Sequence, residues 1–313
     1  MTYEELYAAW LAFRRHKKPS RAIDEFAYYI EKNLQTLACD IEKRTYCHGA
    51  YDMVVVCEKK RRDLAVASVR DRVVHRLVYD ELVRAYNPVF DPDVWSCRPG
   101  KGLYGCLNRV KALLCRYPGA YVWRTDITKF FDHVDHATLN NCLAQRTHEP
   151  HILWLCEQII ASFCKEPDVG IPIGNLTSQV FANSYLHELD RHIRHVVKPL
   201  AYVRYGDDMV VWACNRQEIL RYRERLTAFL SDVLKMTTNP RNDCIVRSYQ
   251  GLHFLGHVVT PSYIVVDRHT TKSALQKSCW RSIASYTSLR LAVTPKKQLS
   301  WQLLDELEEQ GLI

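Results

Sequence analysis

Apolar residues recur at helical spacing over residues 3–35: Leu6, Trp10 and Phe13, then Ile23, Phe26, Ile30 and Leu34. Pro19-Ser20 interrupts this run, and Ser20 is placed to cap a second helix. Met53-Val54-Val55-Val56 reads as a short strand and Leu64-Ala65-Val66 as its return, with Lys59-Lys60-Arg61-Arg62 as a basic hairpin tip. Val73, Val74, Leu77, Val78, Leu82 and Val83 predict an amphipathic helix over 71–86. It should stop before Asn87-Pro88, because the residue before a proline disfavours helix. Further helices are expected over about 103–116, 153–163, 176–197 and 216–235. Strands are expected over 121–127 and on both sides of Tyr205-Gly206-Asp207-Asp208. A strand pair near Ile245-Val246 and 254–259 follows, and then a basic, helical C-terminal region from about 268. The class predicted is α+β.

Composition narrows this picture. The 313 residues are 47% apolar and 25% charged, an ordinary globular balance with room for two or three subdomains. Residues 241–300 carry nine Lys/Arg against two acids, which suggests a polyanionic partner, nucleic acid. The twelve cysteines include no Cys-x-x-Cys pair and read as reduced thiols filling small core positions. A zinc site from Cys106, Cys115 and neighbouring His is the alternative they offer. The N-terminus, Met1-Thr2-Tyr3-Glu4-Glu5, has no signal-peptide character, and no stretch reaches membrane-span length. The cell interior is expected, with no membrane partner.

The chemistry centres on Asp207-Asp208. Two carboxylates at the tip of an apolar hairpin are costly to hold there unless a cation neutralises them, and such oxygen-rich sites suit Mg²⁺. A solvated hairpin tip is the plainer reading of the same tetrapeptide. The test between them is a third carboxylate on another strand within a matching set of motifs, and Asp126 closes such a strand. Were the two strands neighbours, three carboxylates would converge and could hold two Mg²⁺ ions about 4 Å apart, with Mn²⁺ as a substitute.

Taken in order, these stretches resemble reverse transcriptases, over roughly residues 50–260. Lys59-x-x-Arg62-x-Leu64 is similar to the fingers hairpin that grips the incoming triphosphate. Asp71-Arg72-Val73-Val74 is similar to the start of the helix that follows in group II intron-like enzymes. Ser96-Cys97-Arg98-Pro99-Gly100 resembles their Phe-Arg-Pro-Gly loop, with Cys97 in the Phe place. Arg124-Thr125-Asp126-Ile127 with Phe130-Phe131-Asp132, and Tyr205-Gly206-Asp207-Asp208, resemble the two catalytic motifs. Gly251-Leu252-His253-Phe254-Leu255-Gly256 resembles the strand that supports the primer.

This resemblance implies a right-hand polymerase. Fingers would span 1–98 and 132–175 (with an N-terminal extension, 1–50), a palm of antiparallel sheet backed by helices 99–131 and 176–265, and a short helical thumb 266–313. It implies metal ligands at Asp126, Ile127, Asp207 and Asp208. Nucleotide contacts would come from Lys59, Arg62, Ile127, Phe130, Phe131, Ile173, Gly174 and Gln179. Template–primer contacts would come from Arg98, Lys101, Tyr205, Gly206, Leu255, Gly256, Lys272, Lys277 and Arg281. Phe131, five residues after Asp126, would be the aromatic gate against ribose; the alternative is Phe130 as gate and Phe131 as core.

Two departures carry information. Ile173-Gly174-Asn175-Leu176-Thr177-Ser178-Gln179 stands where most reverse transcriptases have Gln-Gly-x-x-x-Ser-Pro. An apolar residue followed by Gly-x-x-x-Ser-Gln resembles the enzymes of diversity-generating retroelements. These copy a template-repeat RNA into cDNA with errors mainly at adenines. They work with structured flanking RNA and with a small, basic, helical, oligomeric accessory protein, and are cytoplasmic, encoded by bacteria, archaea or phages. Ile cannot make the hydrogen bonds a Gln would make. Thr238-Asn239-Pro240-Arg241-Asn242-Asp243 is the second departure, because Asn242 falls where relatives carry a general-acid Lys. The rival readings are an antiviral-defence or retron enzyme, though the retron's Val-Thr-Gly triplet is missing, and a non-catalytic RNA-binding scaffold.

Overall fold

The computed structural model describes residues 1–15, 17–57 and 61–267. In chain order its elements are α1 (Tyr3–Arg14), α2 (Arg21–Tyr28), α3 (Ile30–Glu42), β1 (Asp52–Cys57), β2 (Arg61–Val66), α4 (Val69–Tyr86), α5 (Leu103–Arg116) and β3 (Tyr121–Thr125). There follow α6 (His136–Ala144), α7 (Pro150–Ala161), α8 (Leu176–His192), β4 (Ala201–Tyr205), β5 (Asp208–Ala213), α9 (Arg216–Asp232), β6 (Cys244–Arg247), β7 (Leu252–Phe254), β8 (His257–Val259) and β9 (Ile264–Val266). They form two compact units.

The first unit holds Met1–Asp91, Thr128–His192 and Ala228–Thr237. Its helices begin where side chains can satisfy their free N–H groups. The Thr2 hydroxyl accepts from Glu5 N–H while the Glu5 carboxylate accepts from Thr2 N–H, a reciprocal cap. Ser20 caps α2 as expected, and Ser68 caps α4 two residues earlier than predicted. The 3–35 stretch is three helices rather than two, because α2 ends at Tyr28 and α3 starts afresh at Ile30. Helix α1 packs on α4, and Leu6 and Trp10 of the one and Val73, Val74 and Val78 of the other are buried. Helix α4 in turn packs on α7 and α8, and α6 on α7 and α8. Strands β1 and β2 form a two-stranded hairpin over six residue pairs. Met53, Val54 and Val55 stay about half exposed, since a ribbon of two strands has no second layer to cover them.

The second unit holds Pro92–Ile127, Ile193–Thr227 and, among the described residues, the chain from Thr238 to Asp267. Its frame is a four-stranded antiparallel sheet in the order β4-β5-β3-β6. Helix α5 covers one face, burying Cys106, Leu107, Val110, Leu113 and Leu114 against Val122, Val203, Val210 and Trp212. Leu252, Phe254, Val259 and Ile264, from a second sheet of β7, β8 and β9, complete this core.

That topology corrects the strand pair expected near 245–246 and 254–259. Ile245 and Val246 pair with Trp123 and Val122 on β3. The 254–259 run is itself a hairpin, with Phe254 opposite His257 and only Leu255-Gly256 between them. Both turn residues have positive φ, +50° and +75°, as a tight primed turn requires. The cysteines also differ from expectation: among those described, Cys106, Cys142 and Cys156 are buried and the others exposed.

Candidate active site

The second unit brings three carboxylates to one end of its sheet. Tyr205 and Asp208 are the closing pair of the β4–β5 hairpin, so Gly206-Asp207 is its two-residue tip. Gly206 sits at φ +65°, where a side chain would strain the backbone. On the other flank of β5, Thr125 pairs with Met209, which sets Asp126 one residue beyond β3 beside the Asp208 end. The convergence predicted from separate motifs therefore rests on the β3–β5 register.

The electrostatics match that crowding. Burial and the adjacent Asp208 charge, with Asp126 adding to them, push the Asp207 carboxyl up to about 6. Asp208 is also raised by burial, against the pull of Arg124. Arg124 Nη2 lies 3.0 Å from Asp208 Oδ1. Asp126 Oδ2 accepts from Asn242 Nδ2 at 2.8 Å and from Asn239 Nδ2 at 3.4 Å, while Asp126 Oδ1 is buried with no hydrogen-bond partner.

Both backbone polar groups of Gly206 are held. Its N–H donates to Ser96 Oγ at 2.8 Å, and its carbonyl accepts from Arg204 Nη1 at 2.9 Å. Arg204 is fully buried, and its own backbone bonds to Asp93 and Trp95 lay residues 93–96 alongside β4. Ser96, Arg204, Asn239 and Asn242 are the site residues that sequence reasoning missed as supports. Only Asn242 had been singled out there, as a replacement for Lys.

The donor set fits a hard divalent cation: carboxylate oxygens, one buried oxygen without a partner, and mutually repelling charges. Among the described residues no three acidic, His or Cys side chains form a ready-made cage, and Arg124 takes one oxygen of Asp208 while Asn242 takes one of Asp126. Mg²⁺ tolerates this, since it retains waters and shares ligands with substrate phosphates. At the alternative zinc site, Cys106 is buried and Cys115 exposed. Ile127 is buried, and the bonds Asn239 N–H to Asp126 O and Thr128 N–H to Thr237 O flank it without using its own carbonyl.

The other expected residues divide between the two units. Arg98 Nη1 donates to Val94 O, and Lys101 Nζ donates to Pro92 O while standing over the Trp95 ring. Leu255 and Gly256 form the β7–β8 tip. In the first unit, Phe130 is core, 3% exposed and edge-on to Tyr185, whereas Phe131 is half-buried. Ile173 O accepts from Ala65 N–H, and Ala65 O accepts from Asn175 Nδ2, so β2 and the 173–175 turn are tied through both polar groups of Ala65. Gly174 and Gln179 line a cavity of about 360 Å³ with Arg15, Lys17, Arg72 and Arg76. Arg62 is exposed on β2. Lys59, Lys272, Lys277 and Arg281 lie outside the described residues.

Residues 41–259 match the family described as reverse transcriptase (RNA-dependent DNA polymerase). A 91 kDa protein in the cob intron of Schizosaccharomyces pombe is 26% identical, over 55% of this chain and 22% of its own length. The group II intron-encoded protein LtrA of Lactococcus lactis is 24% identical, over 73% of this chain and 50% of its own. The chain thus spans half or less of these relatives. Among solved structures, apo telomerase of Candida tropicalis superposes with a TM-score of 0.56 at 9% identity, over 99% of this chain and 63% of its own.

The fold is that of right-hand polymerases, α+β with antiparallel sheets. The chain belongs to the reverse transcriptase family. No helix among the described residues is long and apolar enough to cross a membrane.

Proposed function

We propose that this chain is an RNA-directed DNA polymerase of the diversity-generating retroelement type, copying a template-repeat RNA into error-prone cDNA. The observation that carries the polymerase reading is the placing of Asp126 beside Asp207-Asp208 at one end of a four-stranded antiparallel sheet. In this reading Asp126, Asp207 and Asp208, with Ile127 beside them, hold Mg²⁺ or Mn²⁺. A cation held there would supply Lewis-acid stabilisation of a primer 3′-hydroxyl and of a leaving pyrophosphate. The chain itself supplies position and charge. Ser96 and Arg204 fix the turn, while Lys59, Arg62, Gly174 and Gln179 face the nucleotide. Phe131, the more open of the two rings, excludes ribose. Arg98, Lys101, Tyr205, Gly206, Leu255, Gly256, Lys272, Lys277 and Arg281 take the template–primer duplex across the fingers, palm and thumb assigned above.

The retroelement subtype is supported by Ile173-Gly174 and Ser178-Gln179. The turn there is tethered through its backbone and through Asn175, so the Ile173 side chain is free to differ without unmooring the loop. Losing one polar check on pair geometry costs about 1–3 kcal/mol of discrimination. The partners in this reading are a structured template RNA, the cDNA strand, dNTPs and a small basic helical accessory protein.

The test is RNA-templated primer extension with Mg²⁺ and dNTPs, followed by sequencing of the cDNA. We expect product from the parent and none from Asp207→Ala. Extension by Asp207→Ala equal to the parent's would reject the mechanism, and no product from either protein would favour the RNA-binding scaffold. Errors spread evenly over the four template bases would reject the subtype, favour the defence or retron alternatives, and leave the polymerase standing.

A further inference from the structure

The loop 239–243 is built more firmly than its exposure suggests, and both of its asparagines turn their side chains to Asp126. Asn239 N–H donates to Asp126 O at 2.9 Å, which ties the two backbones. Asn239 Oδ1 accepts from Arg241 N–H at 3.1 Å, so its Nδ2 is the atom left to face Asp126 Oδ2. Asn242 N–H closes the turn on Asn239 O at 3.1 Å. The next residue, Asp243, is clamped by Trp123 Nε1 and by Arg223, each at 2.6 Å. Asn242 therefore stands between two anchored neighbours when its Nδ2 donates to Asp126 Oδ2 at 2.8 Å. The outcome is asymmetric: one carboxylate oxygen is held by amides and the other is buried without a partner.

We propose that Asn242, seconded by Asn239, is a positioning residue that turns the free oxygen of Asp126 toward a divalent cation. This rests on the reading of Asp126 as a metal ligand. A neutral amide suits the task in a way no cation would. It orients the carboxylate by donating a hydrogen bond to one oxygen, yet brings no charge of its own to compete with the metal. An ammonium at the same place would form an ion pair with Asp126 and compete for it. An amide also has no proton to give to a leaving pyrophosphate at neutral pH, so this loop works by geometry rather than as a general acid.

The experiment is a titration of the full chain with Mn²⁺ alone, read from the electron paramagnetic resonance signal of the free ion. Asn242→Leu removes the donor at nearly constant shape, and Asn242→Lys keeps donors but adds charge. Far-UV circular dichroism confirms that each is folded. We expect saturable binding by the parent, loss of that binding in Asp126→Ala, and binding weaker by on the order of tenfold in both Asn242 variants, the usual effect of losing a partner behind a metal ligand. If Asp126→Ala loses binding while either folded Asn242 variant titrates like the parent, the proposal is overturned and the polymerase reading survives. If Asp126→Ala titrates like the parent, or the parent shows no saturable binding, Asp126 is not the ligand and the proposal falls with that reading.

Discussion

Arg204 donates from its fully buried guanidinium to the carbonyl of Gly206, two residues further along the same hairpin. A buried cation at the tip that carries Asp207 is placed to hold the turn and to soften the negative field there at once. Asp207 feels that field, since Arg204 lowers its carboxyl while burial and Asp208 raise it more. Replacing Arg204 with Met keeps most of the volume and removes both effects. The Gly206 carbonyl then loses a charged donor, a loss of about 1.5–3 kcal/mol. We expect a lower urea midpoint and a fall in kcat for primer extension, with KM for template–primer little changed. A variant with the parent's kcat would show that the turn keeps its shape without the guanidinium.

Asp207 makes a site-specific prediction about stability. Its carboxyl titrates near 6 in the fold but near 4 in the unfolded chain. Between those values the folded state binds the extra proton, so this group's contribution to stability falls as pH rises through the window. At neutral pH the cost is at most about 3 kcal/mol. Asp207→Asn removes it. In the absence of divalent ions the variant should melt several degrees above the parent at pH 7.5 and level with it at pH 4, while making no cDNA. Added Mg²⁺ should raise the parent's Tm more than the variant's. Melting curves that coincide at both pH values would contradict the burial of an ionised Asp207.

How much of this was legible beforehand depended on the kind of signal. The β4–β5 hairpin was readable because β-branched and aromatic runs flank a glycine that can take φ +65°. The 254–259 hairpin was not, because Leu255 is an unusual residue for a positive-φ turn and left an apparently continuous apolar strand. Sequence order also hid the placing of β6 next to β3, which no local pattern encodes. The three acids were found because carboxylates in apolar surroundings are conspicuous. Their supports were not, since Ser96 reaches Gly206 across 110 residues and Asn242 reaches Asp126 across 116. Hydroxyls and amides are common on any surface, so composition gave no reason to single them out as supports.

Two glycines with nearly equal φ should respond differently to the same change. Gly206 has open space around its missing Cβ, with the nearest atom, Ser96 Oγ, 3.9 Å away. Gly206→Ala therefore meets only backbone strain, about 1–2 kcal/mol. At Gly251 (φ +71°) a Cβ would lie 2.5 Å from Val259 O and 2.9 Å from Thr260 Cγ2, so the β7–β8 pairing must give way as well. Chemical denaturation should rank Gly251→Ala clearly below Gly206→Ala in stability. The reverse order would mean that the β7–β8 hairpin adjusts at little cost.

Ile173 gives the prediction that bears on fidelity. Its backbone carbonyl takes Ala65 N–H, and the neighbouring Asn175 amide returns a bond to Ala65 O, so a new side chain at 173 inherits a fixed loop. Ile173 is itself half-buried, which leaves room for a longer polar group to reach outward. Ile173→Gln would restore one donor and one acceptor where the parent offers only hydrocarbon. If those groups check pair geometry, about 1–3 kcal/mol of discrimination returns, a tenfold to hundredfold drop in misincorporation opposite template adenine. Sequencing cDNA made by parent and variant on one RNA template measures this directly. Because the tethers stay in place, the overall extension rate should change by far less than the error rate. Equal error spectra would remove Ile173 as the source of infidelity and turn attention to Gln179, the other departure in the same segment.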